Sequence, residues 1–471
     1  MSEIKSINKQ DLEKESLSTL RALGRRLGVE SPASKNKDLL ISEIMAIKEG
    51  EKEPVKKSNR GAPVRTRIDL SKFFNDTPSY DDGYDPSITT IQVADVILDK
   101  ETTVTGVFED HSQGYGFLRE VNSQIFKKGV YVAKDFIVKY NLRRGDEVQA
   151  VVKGCNEKTN APALKEILLI NGRSPESYFE RKNFDELTPC YPKKRIKLEN
   201  QSGDIALRII DLFAPIGFGQ RGLIVAPPKT GKTTILQKIA KAIEDNYSDV
   251  HLIVLLIDER PEEVTDFKCA IKSEVVYSTF DESAERHIKT AENTIAKAKR
   301  LVEEGKDVVI LLDSITRLAR AYNTAIESSG KTLSGGLDPT AMYGPKSFFG
   351  SARNTTDGGS LTILATALIE TGSRLDEVIF EEFKGTGNME IHLSNALAER
   401  RIFPAIDLKK SGTRKEELLL DQLTLDSALQ LRRPVLDGKI TTEELFQMVK
   451  KSKDNQDLCE KADAWLNILN K

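Results

Sequence analysis

The feature that most constrains this chain is the string Ala226-Pro-Pro-Lys-Thr-Gly-Lys-Thr233. It fits the phosphate-loop pattern except at its first position, where Ala226 replaces glycine. An apolar run, Leu223–Ala226, precedes it, and a helical stretch, Thr233–Glu244, follows. A strand, a loop and a helix in that order aim the unpaired N–H groups of the helix start at a phosphate. Gly231 lets the backbone come close. Lys232 is placed to reach the β- and γ-phosphates, and the Thr233 hydroxyl to bind Mg²⁺. The competing reading is an ordinary loop holding a Lys-Thr pair.

Further apolar runs at Leu252–Asp258, Val275–Thr279, Val308–Asp313 and Leu361–Ala365 alternate with helical stretches such as Ala284–Glu304. That alternation predicts a parallel α/β sheet. Val308-Val-Ile-Leu-Leu-Asp-Ser314 ends on a carboxylate, Asp313, at the edge where a metal-linked water would lie. A buried strand ending in a capping Asp is the plainer alternative. Leu255-Leu-Ile-Asp-Glu-Arg260 places Glu259 where a carboxylate can orient an attacking water. Its plainer role is a surface ion pair with Arg260.

Ahead of this region, short strands are predicted at Val104–Phe108, Gly114–Arg119, Val130–Val132, Glu147–Val152 and Leu164–Leu169. Short strands with glycine punctuation suit a small barrel of the OB type. Within Gly114-Tyr-Gly-Phe-Leu-Arg119, strand periodicity puts Tyr115, Phe117 and Arg119 on one face. Exposed rings of that kind stack unpaired bases while Arg follows the phosphates, and the flanking glycines leave room for a base. The alternative places both rings in the barrel core, a position that Leu118 fits better.

The 471 residues suggest about three domains. With 70 basic against 72 acidic residues, overall charge does not announce a nucleic-acid partner. Two local stretches do, Lys52–Arg67 and Lys127–Gly145, although a solvated face explains them equally well. The four cysteines lie far apart and the four histidines do not cluster, so neither a disulfide framework nor a zinc site is expected. Met1–Gln10 is polar, and the longest apolar run, Leu252–Ile257, falls well short of the roughly 20 residues of a membrane span. A soluble, cytoplasmic protein with reduced thiols is the expectation.

The N-terminal segment carries Leu17, Leu20, Leu23 and Leu27 at helical spacing. A second run holds Leu39, Leu40, Ile44 and Ile47, with Ser34 as its expected cap. The whole reads as a multidomain α and β chain. It divides into a helical module at 1–47, a charged linker at 48–88, a barrel at 89–172, a basic connector at 173–204, and an α/β region with C-terminal helices at 205–471.

These elements in this order resemble the bacterial transcription termination factor Rho family. The resemblance covers most of the chain. It rests on Gly114–Arg119, on Pro-Pro-Lys-Thr-Gly-Lys-Thr233 and on Leu-Ile-Asp-Glu-Arg-Pro-Glu-Glu-Val264. Phe383-Lys-Gly-Thr-Gly-Asn-Met389, Arg401-Ile-Phe-Pro404 and Ser411-Gly-Thr-Arg-Lys-Glu-Glu417 extend it. It implies a cold-shock-like OB barrel and a RecA-like P-loop motor in a homohexameric ring. The implied activity is ATP-dependent 5′-to-3′ RNA translocation and helicase action. Transcripts would be released from RNA polymerase, with elongation factors as further partners. By resemblance, Pro228, Lys229, Thr230, Gly231, Lys232, Thr233 and Thr234 would hold ATP, and Phe403 would stack on adenine. Thr233 and Asp313 would hold Mg²⁺, and Glu259 would activate water. Arg414 would act from the neighbouring subunit, supported by Arg401. Tyr115, Phe117, Arg119 and Tyr131 would form the primary RNA site. Lys331, Thr332 and Gly335, with the loop of Arg374, would line the central channel.

The chain departs from the family in its long 48–88 linker and in Thr159–Leu164, which lacks the aromatic pair often found there. Three other classes stay open. A rotary-type ATPase subunit shares the motor core, but the 114–119 strand argues against it. An RNA-binding protein with a dead motor is opposed by the presence of Lys232, Asp313 and Glu259. A DNA helicase is not separated by stacking, because the 2′-OH makes that distinction.

Overall fold

The computed structural model describes residues 35–48, 102–119, 129–156, 161–178, 181–327 and 330–469, with isolated positions at 12, 20, 23, 27 and 29. The 48–88 linker beyond Lys48, Leu17, Ser34 and Thr159–Asn160 lie outside these residues. The chain forms two compact units, Met1–Val93 and Ala94–Lys471.

In the first unit, Leu12, Leu20, Leu23, Val29, Leu40, Ile41 and Ile44 share one small apolar core. Helix α1, Lys37–Lys48, supplies its second half. Asn36 caps that helix, its side-chain oxygen accepting from the Leu39 N–H at 3.1 Å. Leu39 itself is 54% exposed. The buried stripe runs through Leu40, Ile41 and Ile44, one position round the helix from Leu39, so adjacency in sequence misassigned the face.

The second unit begins with a closed barrel. Its strands are β1 (Thr102–Asp110), β2 (Gly116–Arg119), β3 (Val130–Val132), β4 (Glu147–Asn156) and β5 (Ala161–Ile170). They close in the order β1-β2-β3-β5-β4, with a parallel step between Tyr131 and Ala163. Inward positions Val104, Phe108, Leu118, Val130, Val132, Val148, Ala150 and Val152 fill the interior. Helix α2, Lys134–Tyr140, was not expected from sequence: it lies inside a basic stretch, and seven residues are too few for a clear helical period. Gly116 faces inward and makes room for the Phe108 ring, not for a base. A Cβ there would lie 2.4 Å from Phe108 Cε2.

The remainder is a parallel sheet with helices on both faces. Its strands are β6 (Arg221–Ala226), β7 (His251–Glu259), β8 (Glu274–Thr279), β9 (Val308–Asp313), β10 (Ser360–Leu368), β11 (Met389–His392) and β12 (Gly412–Thr413). They lie in the order β8-β7-β9-β10-β6-β11-β12, antiparallel at the β11–β12 edge and where the short strands Arg353–Thr355 and Pro189–Cys190 extend from β10. Two apolar cores, one on each face, bury the central strands β6, β7, β9 and β10, which is why these read as continuous apolar runs, while edge strand β8 is only half-buried. The helices that matter below are α3 (Lys232–Asn246), α4 (Ala284–Glu303), α5 (Ile315–Ala325) and α6 (Arg374–Lys384). C-terminal helices Gln422–Leu436 and Thr442–Lys451 close one side. Buried Arg208 ties the second of these and the helix after it to the core, donating to Ser452 Oγ at 2.7 Å and Asn455 Oδ1 at 3.1 Å.

Many cations that look free in the sequence hold the barrel to the motor. Arg181 donates to both oxygens of Asp146, at 2.5 and 2.7 Å, and both side chains are buried. Arg143 faces Glu303 at 3.7 Å, and Arg144 faces Glu292 at 3.1 Å on the same helix α4. Within the connector and motor, Arg195 pairs in the same way with buried Asp211 at 3.1 Å. Removing one member of a buried pair strands the other's charge, at a cost of about 3–5 kcal/mol. Arg181→Ala is therefore expected to destabilise the barrel by about 3 kcal/mol. Hydrogen exchange at the β4 amides Val148 and Ala150 measures this. Unchanged protection would mean that Asp146 does not need its partner.

Candidate functional site

The C-terminal edge of the sheet gathers the phosphate loop and two carboxylates. Loop residues 227–231 leave β6 and enter α3, with Lys229 at φ 66° and Gly231, the residue before the helix, at φ 91°. Consecutive left-handed and helical conformations turn main-chain N–H groups inward, the form of an anion-binding nest. The Thr230 hydroxyl donates to the Pro227 carbonyl at 2.7 Å and staples the loop. Thr233 is half-buried at the helix start, while Pro228, Lys229 and Thr234 are exposed.

Lys232 projects from α3 and bridges the ends of two neighbouring strands. Its Nζ lies 3.1 Å from Glu259 Oε1 and also donates to Asp313 Oδ1. Burial works against its charge, but Asp313 and Glu259 outweigh it and hold its pKa above the ordinary lysine value. Glu259 is 3% exposed. Burial and then the Asp313 charge push its carboxyl up, against the pull of Lys232 and Arg317. A base poised by burial and a like charge is a common property of catalytic carboxylates. The expected alternative, a surface pair with Arg260, does not occur: Arg260 is exposed and Glu259 turns inward to Lys232.

Two further residues complete this centre, and neither was singled out from sequence. Arg317 on α5 lies 3.5 Å from Glu259 Oε1 and donates to the Asp258 side chain at 2.9 Å. Thr366 on β10 donates to Asp313 Oδ1 at 2.7 Å. The available signal for Thr366 was a hydroxyl inside an apolar strand, since a buried hydroxyl requires a partner. For Arg317 it was a cation one turn into the helix that follows Asp313. Asp313 Oδ2 is buried and has no hydrogen-bond partner among the described residues.

Phe403 and Arg401 lie at the same edge. The segment between Leu393 and Ile406, which form a bridge, carries both, and the Leu393 N–H donates to the Val225 carbonyl at 2.8 Å. Phe403 is 52% exposed there. Arg414 is elsewhere. Its N–H donates to the Asn388 carbonyl at 2.9 Å, and Asn388 in turn donates to the carbonyl of Arg221, where β6 starts. The length of β6, about 17 Å at 3.3 Å per residue, separates that level from the chain's own phosphate loop. The Arg414 side chain is exposed, and no carboxylate among the described residues pairs with it, Glu416 and Glu417 included.

On the barrel, Tyr115, Phe117 and Tyr131 form one aromatic face. Ring centroids lie 5.7 Å apart for Tyr115–Phe117, 5.5 Å for Tyr115–Tyr131 and 6.1 Å for Phe117–Tyr131. All three are half-buried, whereas Leu118 between them is in the core. His111 extends the face by stacking on Tyr115 at 4.4 Å, and the Arg119 guanidinium lies 5.1 Å from the Phe117 ring centre. Elsewhere, the Lys331–Gly336 loop meets the start of α6. A Cβ on Gly335 would lie 2.9 Å from the Arg374 carbonyl, so the exposed residues Lys331, Thr332 and Arg374 share one surface.

Comparison with known proteins follows these two regions. Residues 206–413 match the ATP synthase alpha/beta family, nucleotide-binding domain, and residues 104–176 match the Rho termination factor, RNA-binding domain. Solved structures of similar fold include a prototypical ATPase from the type III secretion system of pathogenic bacteria. It has a TM-score of 0.51 and 24% identity, and covers 65% of this chain and 95% of that one. The likeness is one of fold. The chain is 54% identical over 346 residues to transcription termination factor Rho of Bacillus subtilis, covering 74% of this chain and 81% of that protein. It is 55% identical over 356 residues to the factor of Borreliella burgdorferi, covering 75% and 69%. With the factor of Haemophilus influenzae the values are 52% over 362 residues, 75% and 86%. The chain belongs to the family of transcription termination factor Rho.

Proposed function

We propose that this protein is an ATP-driven 5′-to-3′ RNA translocase and helicase. It binds nascent single-stranded RNA and terminates transcription by releasing that RNA from RNA polymerase. The observation that carries the reading is the presence, in one chain, of the Lys232–Glu259–Asp313 centre and of a half-exposed aromatic face on a barrel matching an RNA-binding domain. No described helix is long and apolar enough to cross a membrane, and the proposed place of action is the cytoplasm, beside RNA polymerase and its elongation factors.

In the proposed reaction, the loop from Pro228 to Thr234 surrounds the ATP phosphates, and Phe403 stacks on the adenine. The arriving γ-phosphate draws Lys232 away from the two carboxylates. The free Asp313 Oδ2 and the Thr233 hydroxyl suit Mg²⁺, which neutralises phosphate charge when bound. Glu259 orients a water and takes its proton as the water oxygen attacks the γ-phosphorus. The bond from that phosphorus to the bridging oxygen breaks, and ADP carries away the electron pair. RNA bases stack on Tyr115, Phe117 and Tyr131 while Arg119 follows the backbone. Lys331, Thr332, Gly335 and Arg374 grip the strand in the channel of a homohexamer. Glu259→Gln is expected to bind ATP normally yet lose RNA-stimulated phosphate release by roughly 10²–10⁴-fold. Near-normal turnover would remove Glu259 from the mechanism.

Arg414 cannot serve its own phosphate loop from the far end of β6, so its proposed role is on a neighbouring subunit, with Arg401 supporting the same site. An arginine finger contributes about 10³–10⁵ in rate, against almost nothing for a surface cation. Arg414→Ala is expected to assemble, bind ATP and hardly hydrolyse it. Mixing it with equally inactive Lys232→Ala subunits creates interfaces with both parts intact, and partial ATPase activity is expected to return. Arg414→Ala subunits that alone hydrolyse ATP at close to the normal rate would contradict the assignment.

A further inference from the structure

Glu109 occupies a position that neither the RNA face nor the motor chemistry accounts for. It lies directly opposite Phe117 across the β1–β2 ladder, so the two side chains share the aromatic face. One carboxylate oxygen, Oε2, accepts from Arg119 Nε at 3.1 Å. The other, Oε1, lies 2.5 Å from Lys289 Nζ on α4. One nearly buried carboxylate is thus divided between a cation of the barrel and a cation of the motor. Burial pushes its pKa up, but Lys289 and Arg119 outweigh that and keep it below the ordinary glutamate value, so the bridge is ionic at neutral pH.

Beyond Lys289 the contacts run on to the nucleotide centre. Helix α4 starts at the Ser283 cap and is joined to β8 by Ser278 Oγ and His287 Nδ1, 2.7 Å apart. Thr279 at the end of β8 pairs in register with Glu259, and the Phe280 N–H donates to the Glu259 carbonyl at 3.2 Å. The rest of the barrel–motor seam, such as Arg181–Asp146, holds the domains together without touching the aromatic face. Only the Glu109 bridge, among the described ion pairs across that seam, includes a residue beside Phe117.

We propose that Glu109 is a positioning residue shared by the barrel and the motor: it holds Arg119 beside Phe117 and, through Lys289, relays occupancy of the aromatic face to helix α4. An RNA phosphate competes with Glu109 for the Arg119 guanidinium. A carboxylate relieved of Arg119 is drawn more strongly to Lys289, and α4 receives the change. The inference rests on the reading that the aromatic face takes RNA.

Contiguity alone does not demonstrate coupling, so the test measures coupling directly. In the full-length protein, the Kd for an unstructured single-stranded RNA is measured with and without a non-hydrolysable ATP analogue. The ratio of the two values is the coupling between sites, typically five-fold or more where it exists. Lys289→Met is expected to leave the nucleotide-free Kd within about two-fold of wild type and to bring the ratio down by about five-fold. Lys289→Arg, which keeps a cation within reach, restores it. Phe117→Ala is expected to weaken RNA binding by about five- to 150-fold, and adding Lys289→Met to it changes the ratio no further. A wild-type ratio in Lys289→Met overturns the relay, as do losses that multiply in the double variant. If Phe117→Ala leaves RNA affinity unchanged, the RNA reading of the face falls and the relay with it, a distinct result. A purely structural bridge would lower barrel stability and leave the ratio alone.

Discussion

The ammonium of Lys232, held between Glu259 and Asp313, is the interaction on which the motor half of the structure depends. Two buried carboxylates on neighbouring strands repel each other and lose hydration. A cation between them offsets both costs, and the Thr366 hydroxyl and Arg317 guanidinium satisfy part of what remains. Such a cluster is weak evidence for stability and stronger evidence for function. The sheet holds it in place: β7 and β9 are adjacent and pair Leu256 with Asp313, while β10 separates β9 from β6 and brings Thr366 alongside. Every partner therefore sits on a strand or helix, while the phosphate loop and the turns flanking the short helix Asn395–Glu399 supply the irregular parts.

The barrel is attached to this motor by charge more than by apolar contact. Among the described residues, Arg143 and Arg144 of the second basic stretch are engaged with α4, and the connector cations Arg181 and Arg195 with Asp146 and Asp211. The proposed RNA surface relies instead on three rings and Arg119. Stacking of this kind tolerates different bases, and it requires rings that stay half-exposed while their strand neighbours fill the core.

Much of this was legible in the sequence because it depends on local periodicity. Val308–Asp313 is buried on both faces and reads as an unbroken apolar run, so both the strand and its terminal Asp were visible. Tyr115 and Phe117 were separable from Leu118 by alternation alone. Contacts between distant segments were not legible. Arg317 and Thr366 become part of the centre only when β7, β9 and β10 align. Gly116 looked like space for a base, and only the fold reveals Phe108 behind it. Helix α2 has only seven residues, and its Phe136, Ile137 and Tyr140 pack partly buried against the barrel, so its apolar stripe is too short to announce it. In the first unit, Leu39 and Ile41 flank Leu40, and spacing did not say which of them turns inward.

In the proposed function, ATP hydrolysis at Lys232, Glu259 and Asp313 depends on RNA held by the barrel and by the Lys331–Gly336 surface. ATP turnover of the full-length protein, titrated with single-stranded RNA and with DNA of the same sequence, tests that dependence most directly. The account predicts strong stimulation by RNA and little by DNA, with the stimulation lost on heating only when the barrel melts. Equal turnover with RNA, with DNA and with neither would contradict it.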